Sequence, residues 1–272
     1  MKLAVTINAF PNGGGPIIFT DGQVENNVKT MVKYGYTGAD LFIAGVPKET
    51  ILDYRRIFED NGAKVATLFA IFLGQSGVNL AETDPEKAKK NKELFKAQLD
   101  NAVLIGAEGL GLGYIRGNYG KEETEADALK RIAESLVELG AYAKSIGTNI
   151  LLEPINRYEI NTLNNGYTTV DFIKNNGIEG VKLCLDLFHM NIEDRSIEGT
   201  IQHAKGMIGG MHTPDSNRYA VGDGHFDFPS IVNTLKSVDY DGFLTLEAFT
   251  KGTQEDIERT LRQSAEILLP LL

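Results

Sequence analysis

The segment Asn149-Ile150-Leu151-Leu152-Glu153 is a short apolar run that ends on a carboxylate. The second half of the chain repeats this arrangement three times, with the runs ending at Asp186, His212 and Glu247. The four polar residues are 33, 26 and 35 positions apart, which is about the length of one strand-plus-helix unit. If each run is a parallel strand, the four side chains converge at one end of a barrel, because parallel strands end on the same side.

Strand-like runs alternate with helical patterns along the whole chain. The strand candidates are 3–7, 38–42, 64–69, 109–113, 149–152, 181–185, 207–211 and 243–246. The helical segments are near 23–34, 48–61, 84–105, 124–146, 168–176, 196–205, 228–238 and 253–269. Eight such units in 272 residues favour a (β/α)₈ TIM barrel over an open doubly wound sheet. The sequence therefore predicts an α/β fold with one barrel domain over 1–272 and an active site at the C-terminal ends of the strands.

The composition limits the classes of partner. The chain has 27 basic and 37 acidic residues, a net charge of −10, and such an acidic surface argues against general binding of nucleic acid. No segment approaches the roughly 18 consecutive apolar residues of a membrane helix. The first apolar run stops at Asn8, too soon for a secretion signal, and the only cysteine, Cys184, is expected to be a buried strand residue. We expect a cytoplasmic protein.

The four strand-end residues predict a metal site. Three carboxylates at apolar strand ends would repel one another strongly without a cation between them. Three oxygen donors and one imidazole nitrogen favour Mn²⁺, with Mg²⁺ or Co²⁺ as alternatives, over the sulfur-rich pattern of structural zinc. Four protein ligands leave about two positions of an octahedral shell for two adjacent oxygens of a polyol or hydroxyketone.

Further polar residues follow these ligands in the same loops. Glu159 comes six residues after Glu153, His189 comes three after Asp186, and Arg218 comes six after His212. Together, these three residues are interpreted as hydrogen-bonding groups around a hydroxyl-rich substrate.

The run Leu152-Glu153-Pro154-Ile155-Asn156-Arg157-Tyr158-Glu159 resembles the xylose-isomerase-like barrel superfamily, and within it the ketose 3-epimerases of the D-tagatose/D-psicose type. The resemblance continues through 185–193, 215–218, 222–228 and 246–247, and it is specific between about 150 and 250. It implies one divalent metal, commonly Mn²⁺, held by Glu153, Asp186, His212 and Glu247. It also implies that Glu159, His189 and Arg218 contact substrate oxygens O1 to O3, and that the protein is a homodimer or homotetramer.

The resemblance implies an isomerase in which Glu153 and Glu247 form the catalytic acid/base pair. A ketose would be epimerised at C3 through an enediolate, since one glutamate removes the C3 proton and the other returns a proton to the opposite face. The alternatives are an aldose–ketose or inosose isomerase, or a dehydratase, on the same scaffold, and a non-catalytic sugar-binding protein. A multi-zinc endonuclease is disfavoured because the chain has only four histidines.

The sequence leaves the identity of the sugar open. The first-half segments 8–22 and 74–83 are outside the specific resemblance, and they are expected to line the far end of the sugar pocket. A phosphorylated substrate also stays open, because Lys251 near a predicted helix start is a weak signal for a phosphate site.

Overall fold

Eight parallel strands close into a barrel in a computed structural model of the chain, which describes residues 1–11 and 14–272. Each strand pairs with its neighbours in chain order, and β1 closes the barrel against β8. The strands are β1 Lys2–Asn8, β2 Gly38–Ile43, β3 Lys64–Ala70, β4 Gly109–Leu112, β5 Ile150–Leu152, β6 Val181–Asp186, β7 Ile208–His212 and β8 Phe243–Leu246. The predicted TIM barrel is confirmed, and every predicted strand overlaps an observed one.

Helices cover the outside of the barrel and connect successive strands. They are α1 Val24–Lys33, α2 Lys48–Asp60, α3 Ile71–Gln75, α4 Pro85–Ile105, α5 Glu125–Ser145, α6 Gly166–Asn175, α7 Leu187–Glu193, α8 Ile197–His203, α9 Phe228–Ser237 and α10 Gln254–Leu268. Short 3₁₀ turns add Tyr114–Arg116 and Leu269–Leu271. Within the described part of the chain, none of the helices combines the length and apolar character needed to cross a membrane.

Two short helices, α3 and α7, are absent from the sequence-based prediction. The placement of His189 in a loop is therefore wrong, because the residue is in the first turns of α7. Asp186, the last residue of β6, caps this helix by accepting a hydrogen bond at Oδ1 from the Phe188 backbone N–H at 2.8 Å. Capping by a strand-end aspartate allows a helix to begin at once, with no loop between strand and helix.

Alternation along the strands separates the core into two layers. On β1, Leu3, Val5 and Ile7 pack in the large core between the barrel and the helices. Ala4, between them, packs with Ala66 and Phe243 in a separate cluster. This division follows from the period of two of a β-strand, which directs successive side chains to opposite faces of the sheet. Polar residues on the inward face can therefore meet inside the barrel.

Gly111 on β4 makes room for an aromatic pair. A Cβ at this position would be 2.2 Å from the ring of Phe69, so any larger residue would displace that ring. Phe69 stacks on Phe42 of β2, with ring centroids 4.6 Å apart and an interplanar angle of 8°. The glycine thereby permits a flat aromatic wall near the C-terminal ends of β2 and β3.

Candidate metal centre and substrate cavity

The four strand-end residues meet at the C-terminal end of the barrel. Glu153, Asp186, His212 and Glu247 each offer one ligand atom, and these atoms all lie within 4.8 Å of one another. Asp186 and His212 are fully buried, whereas Glu153 and Glu247 keep 6% and 7% of their surface exposed. Ligand atoms about 2.1 Å from an octahedral ion lie about 3 Å apart when adjacent and about 4.2 Å apart when opposite. The cluster therefore has dimensions that could hold a single metal ion.

The imidazole of His212 presents one nitrogen to the three carboxylates. Its Nδ1 lies 3.2 Å from Glu153 Oε1, 3.4 Å from Glu247 Oε2 and 3.9 Å from Asp186 Oδ2. The other ring nitrogen, Nε2, lies 3.1 Å from Asp40 Oδ2 of β2. The cluster thus converges on Nδ1, which is the nitrogen available to a metal.

The electrostatics of the cluster favour a positive charge at its centre. Burial raises the pKa of Asp186 to about 6, although His189 and Arg218 oppose this shift. Burial disfavours a charged imidazole, but the neighbouring Cys184, Glu247 and Glu153 raise the pKa of His212 well above its ordinary value. A buried cluster whose acidic neighbours favour a proton on its histidine is one in which a metal cation can take the place of that proton.

Arg218 supplies a fixed positive charge beside the carboxylates. Its Nη2 donates to Glu247 Oε2 at 2.8 Å and to Asp186 Oδ2 at 3.3 Å, and its guanidinium lies over the Phe188 ring at 4.8 Å from the centroid. Burial lowers the pKa of Arg218, but Asp186 and Glu247 raise it further, so the net shift is upward. Arg218 also has φ of +62°, which is uncommon for a residue other than glycine. This strained backbone indicates that the loop is built to hold the guanidinium in place.

Asp215 organises the loop that carries Arg218. Its carboxylate accepts hydrogen bonds from the backbone N–H groups of Ser216, Gly222 and Phe226 at 2.7, 2.8 and 3.2 Å. Burial would raise the pKa of Asp215, but these donors hold it below its ordinary value. The Arg218 backbone N–H closes the turn onto the Asp215 carbonyl oxygen at 2.8 Å. The position of Arg218 therefore depends on a carboxylate that does not itself face the cluster.

Asn156 joins His189 to Glu159. Its Nδ2 lies 2.8 Å from both Glu159 Oε1 and His189 Nδ1, and the two amide hydrogens can satisfy both acceptors. The other ring nitrogen of His189, Nε2, lies 3.4 Å from Arg218 Nη2 and 3.6 Å from Asp186 Oδ2. Glu159 also accepts a hydrogen bond from the Tyr114 hydroxyl. This network fixes the direction of the His189 and Glu159 side chains, both of which are predicted from the sequence to contact the substrate.

Arg116 is a fully buried arginine that braces the loop after β5. It donates at 2.8 Å to the carbonyl oxygens of both Glu153 and Thr162 and at 3.1 Å to that of Gly113. Burial lowers the pKa of Arg116 to about 10, and the negative charge of Glu153 opposes the shift. The backbone of one candidate metal ligand is thus held directly by a buried cation.

A cavity of about 640 Å³ opens above the cluster. Five of the seven residues predicted for the site line it: Glu153, Glu159, His189, Arg218 and Glu247. Asp186 and His212 are beneath it and are not part of its lining. The rest of the lining is mostly apolar and includes Ile17, Phe42, Phe69, Ile71, Ile115 and Phe249. The cavity therefore combines the polar groups of the site with an otherwise largely apolar lining.

The first-half segments reach this cavity, as expected from the sequence. Gly14, Gly15, Pro16 and Ile17 of the first segment line it, and so do Gly74 and Gln75 of the second. Residues 12 and 13 are outside the described part of the chain. Lys251, the weak candidate for phosphate binding, is exposed and does not line the cavity.

Four residues around the site are not predicted by the sequence patterns: Asp40, Tyr114, Arg116 and Asn156. Asn156 is within the run that carries the family resemblance, so its sequence context could have identified it. Asp40 could have been recognised as a single carboxylate inside the buried strand 38–43. Tyr114 and Arg116 are in a 3₁₀ turn with no repeated pattern, and no signal in the sequence points to them.

Comparisons with known proteins agree with this architecture. A family model described as "Xylose isomerase-like TIM barrel" matches residues 28–271. The chain is 29% identical over 222 residues to the D-psicose 3-epimerase of Agrobacterium fabrum, which covers 78% of this chain and 75% of the relative. It is 36% identical over 223 residues to the L-ribulose 3-epimerase of Mesorhizobium japonicum, which covers 81% of this chain and 71% of the relative. These relatives are epimerases, an isomerase class of enzyme.

Among solved structures, the D-psicose 3-epimerase of Clostridium cellulolyticum H10, crystallised with D-tagatose, superimposes with a TM-score of 0.82. The match covers 98% of each chain at 23% sequence identity, so this likeness supports the fold. The family model and the relative that is 36% identical extend the agreement to sequence. The chain therefore belongs to the xylose isomerase-like TIM barrel family.

Proposed function

We propose that this protein is a divalent-metal-dependent epimerase that inverts C3 of a ketose. The observation that carries the proposal is the dual position of Glu153 and Glu247, which belong to the four-residue cluster and also line the cavity. A carboxylate in that position can both hold a cation and reach a substrate proton. The relatives named D-psicose and L-ribulose 3-epimerase support the same reaction. The whole chain is proposed to act as one domain.

Glu153, Asp186, His212 and Glu247 are proposed to hold the ion, and Mn²⁺ is the proposed ion, with Mg²⁺ and Co²⁺ as the alternatives. When bound, the ion would supply a Lewis acid that makes the hydrogen next to the ketose carbonyl more acidic. Asp186 and His212, buried below the cavity, would act only as ligands. The two glutamates come from β5 and β8 and can flank a substrate placed between them.

In the proposed reaction, one glutamate takes the C3 proton and the other delivers a proton to the opposite face of the same carbon. Arg218, His189 and Glu159 would hold the oxygens of the substrate, because their polar atoms converge on the same end of the cavity. Arg218 is suited to stabilise negative charge that develops on a substrate oxygen, since its position is fixed before the substrate binds. Inversion at C3 follows from delivery of the proton to the second face.

The test is a panel of free and 6-phosphorylated ketoses, incubated with Mn²⁺ in D₂O, with C3 epimerisation and C3 deuterium followed by NMR. Free ketoses are expected to react with a kcat/KM more than about tenfold above that of their phosphates, because an uncompensated charge costs several kcal/mol to bury. Arg218 is the only cationic side chain among the described residues that line the cavity, and it already contacts Glu247.

Deuterium at C3 together with the 3-epimer would support the proposal. Exchange confined to C1 or C2 would indicate an aldose–ketose isomerase, and loss of water would indicate a dehydratase. Binding of ketoses without any exchange would leave a sugar-binding protein. A 6-phosphate as the best substrate would contradict the expected preference for free ketoses.

Removal of the metal is expected to destabilise the fold as well as to stop turnover. A ligand present at a thousand times its Kd stabilises the folded state by about 4 kcal/mol. For a chain of this size, that free energy corresponds to a fall in Tm of about 10 °C. Calorimetry after chelation, with residual metal checked by elemental analysis, measures the change, and added Mn²⁺ should restore both Tm and activity. An unchanged Tm in fully demetallated protein would argue against a metal at this cluster.

A further inference from the structure

Asp40 is a carboxylate inside the barrel that the proposed chemistry does not use. It is on β2 and is 1% exposed. Among the residues that the structure describes, its side chain bonds only to His212, through Oδ2 and the ring Nε2 at 3.1 Å, while Oδ1 has no partner. A buried carboxylate is costly unless it is paired, so this single contact must carry its stabilisation.

Asp40 and the three other carboxylates contact opposite edges of the same imidazole. Nδ1 faces Glu153 and Glu247 at 3.2 and 3.4 Å, whereas Nε2 faces Asp40. A neutral imidazole that donates from Nε2 has its lone pair on Nδ1, and this lone pair points into the cluster. Carboxylates that accept from the remote nitrogen of a metal-bound histidine fix the tautomer and the ring orientation.

Cys184 is the only other side chain that the described residues place within hydrogen-bonding distance of this nitrogen, with its Sγ 3.3 Å from Nε2. A thiol is only a weak hydrogen-bond acceptor. A carboxylate is a much stronger acceptor than a thiol. The Nε2 proton is therefore directed to Asp40, and Cys184 fills space beside it.

We infer that Asp40 is a positioning residue for the metal centre, which holds the His212 ring with its proton on Nε2 and its lone pair toward the metal ligands. Asp40 is outside the four-residue cluster and acts only through His212. The inference rests on the proposed metal function. It adds a fifth residue, from the first half of the chain, on which metal affinity depends.

The experiment compares Mn²⁺ binding by calorimetric titration in the wild-type protein and in the variants Asp40→Asn, Asp40→Ala and Cys184→Ala. Loss of the acceptor in Asp40→Ala is expected to weaken binding by about 10- to 100-fold, as for other residues that orient metal ligands. Asp40→Asn keeps the shape but removes the charge, so an intermediate loss is expected. Cys184→Ala is the matched control, since it removes the other neighbour of the same nitrogen and should bind Mn²⁺ nearly as the wild type does.

A second readout separates positioning from a general loss of structure. In Mg²⁺-loaded protein labelled with ¹⁵N-histidine, the wild-type His212 should give one signal for a protonated Nε2, and this signal should be lost or doubled in Asp40→Asn. If Asp40→Ala does not fold, Asp40→Asn alone decides the matter. Equal Mn²⁺ affinity and an unchanged His212 signal in the folded Asp40 variants would overturn the inference. A wild-type protein that binds no Mn²⁺ would overturn the metal centre, and the inference with it.

Discussion

Replacing Glu247 by Gln is expected to lower kcat for C3 epimerisation by about 10²- to 10⁴-fold. The amide keeps the shape of the side chain and an oxygen that can accept the 2.8 Å hydrogen bond from Arg218 Nη2. It cannot take up a proton, so the face of C3 that Glu247 is proposed to serve would lose its acid/base group. Steady-state assay of the purified variant, with Mn²⁺ content measured in the same sample, tests the expectation.

The two glutamate variants should also separate proton exchange at one face of C3 from proton exchange at the other. If Glu247 serves one face of C3 and Glu153 the other, Glu247→Gln can still exchange the C3 proton of one epimer with D₂O but cannot convert it. Glu153→Gln should exchange the opposite epimer. Glu179→Gln is the control, because Glu179 is an exposed partner of Lys144 and is remote from the cavity.

Near-wild-type turnover in metal-loaded Glu247→Gln would refute the acid/base role of Glu247. Exchange of the same epimer in both variants would refute the assignment of one glutamate to each face. Both outcomes are distinguishable from loss of metal, because the Mn²⁺ content of each variant is known.

The cluster residues that could be predicted share one property: each lies at the end of an apolar strand or directly after it. Glu153, Asp186, His212 and Glu247 each follow or end an apolar run, and closure of a parallel barrel brings such positions to one end. The barrel itself could be predicted for the same reason, since eight apolar runs alternate with helical patterns. Local hydrophobic periodicity was sufficient for both conclusions.

What could not be predicted depends on contacts across the closed barrel. Asp40 is 172 residues from His212 in sequence, and its inward direction becomes meaningful only when β2 and β7 face the same interior. Helix α7 has 7 residues, which is too few to show a helical period in the sequence. For this reason the sequence pattern predicts a loop at His189. Arg116 bonds to carbonyl oxygens, which every residue has, and no side-chain pattern can identify its partners.

Replacing Arg116 by Met is expected to reduce the free energy of unfolding by about 3 kcal/mol. Two opposing effects decide the size of this change in the free energy of unfolding. The substitution removes a buried charge, which is favourable, since burial lowers the pKa of Arg116 to about 10. It also leaves the carbonyl oxygens of Glu153 and Thr162 without their donor, and each buried unsatisfied group costs about 1–3 kcal/mol. The Gly113 carbonyl oxygen keeps the backbone N–H of residue 116 as a donor at 3.2 Å. Two unsatisfied acceptors outweigh one relieved charge, so the variant should be less stable.

The variant Arg116→Lys tests the contribution of the positive charge separately from that of the guanidinium N–H groups. Lysine retains the charge but cannot reproduce the planar geometry that serves several carbonyl oxygens at once. It should therefore also be destabilised, by about 1–2 kcal/mol if it recovers part of the bonding. Arg131→Met is the matched control, because Arg131 is partly exposed and, among the described residues, donates to a single backbone carbonyl, Ala81 O. Urea unfolding of the three variants gives the comparison, and an Arg116→Met variant as stable as Arg131→Met would contradict the expected loss of stability.

Because Arg116 holds the backbone of Glu153, the folded fraction of Arg116→Met should also show a lower kcat, whereas a purely structural role would leave kcat per folded molecule unchanged.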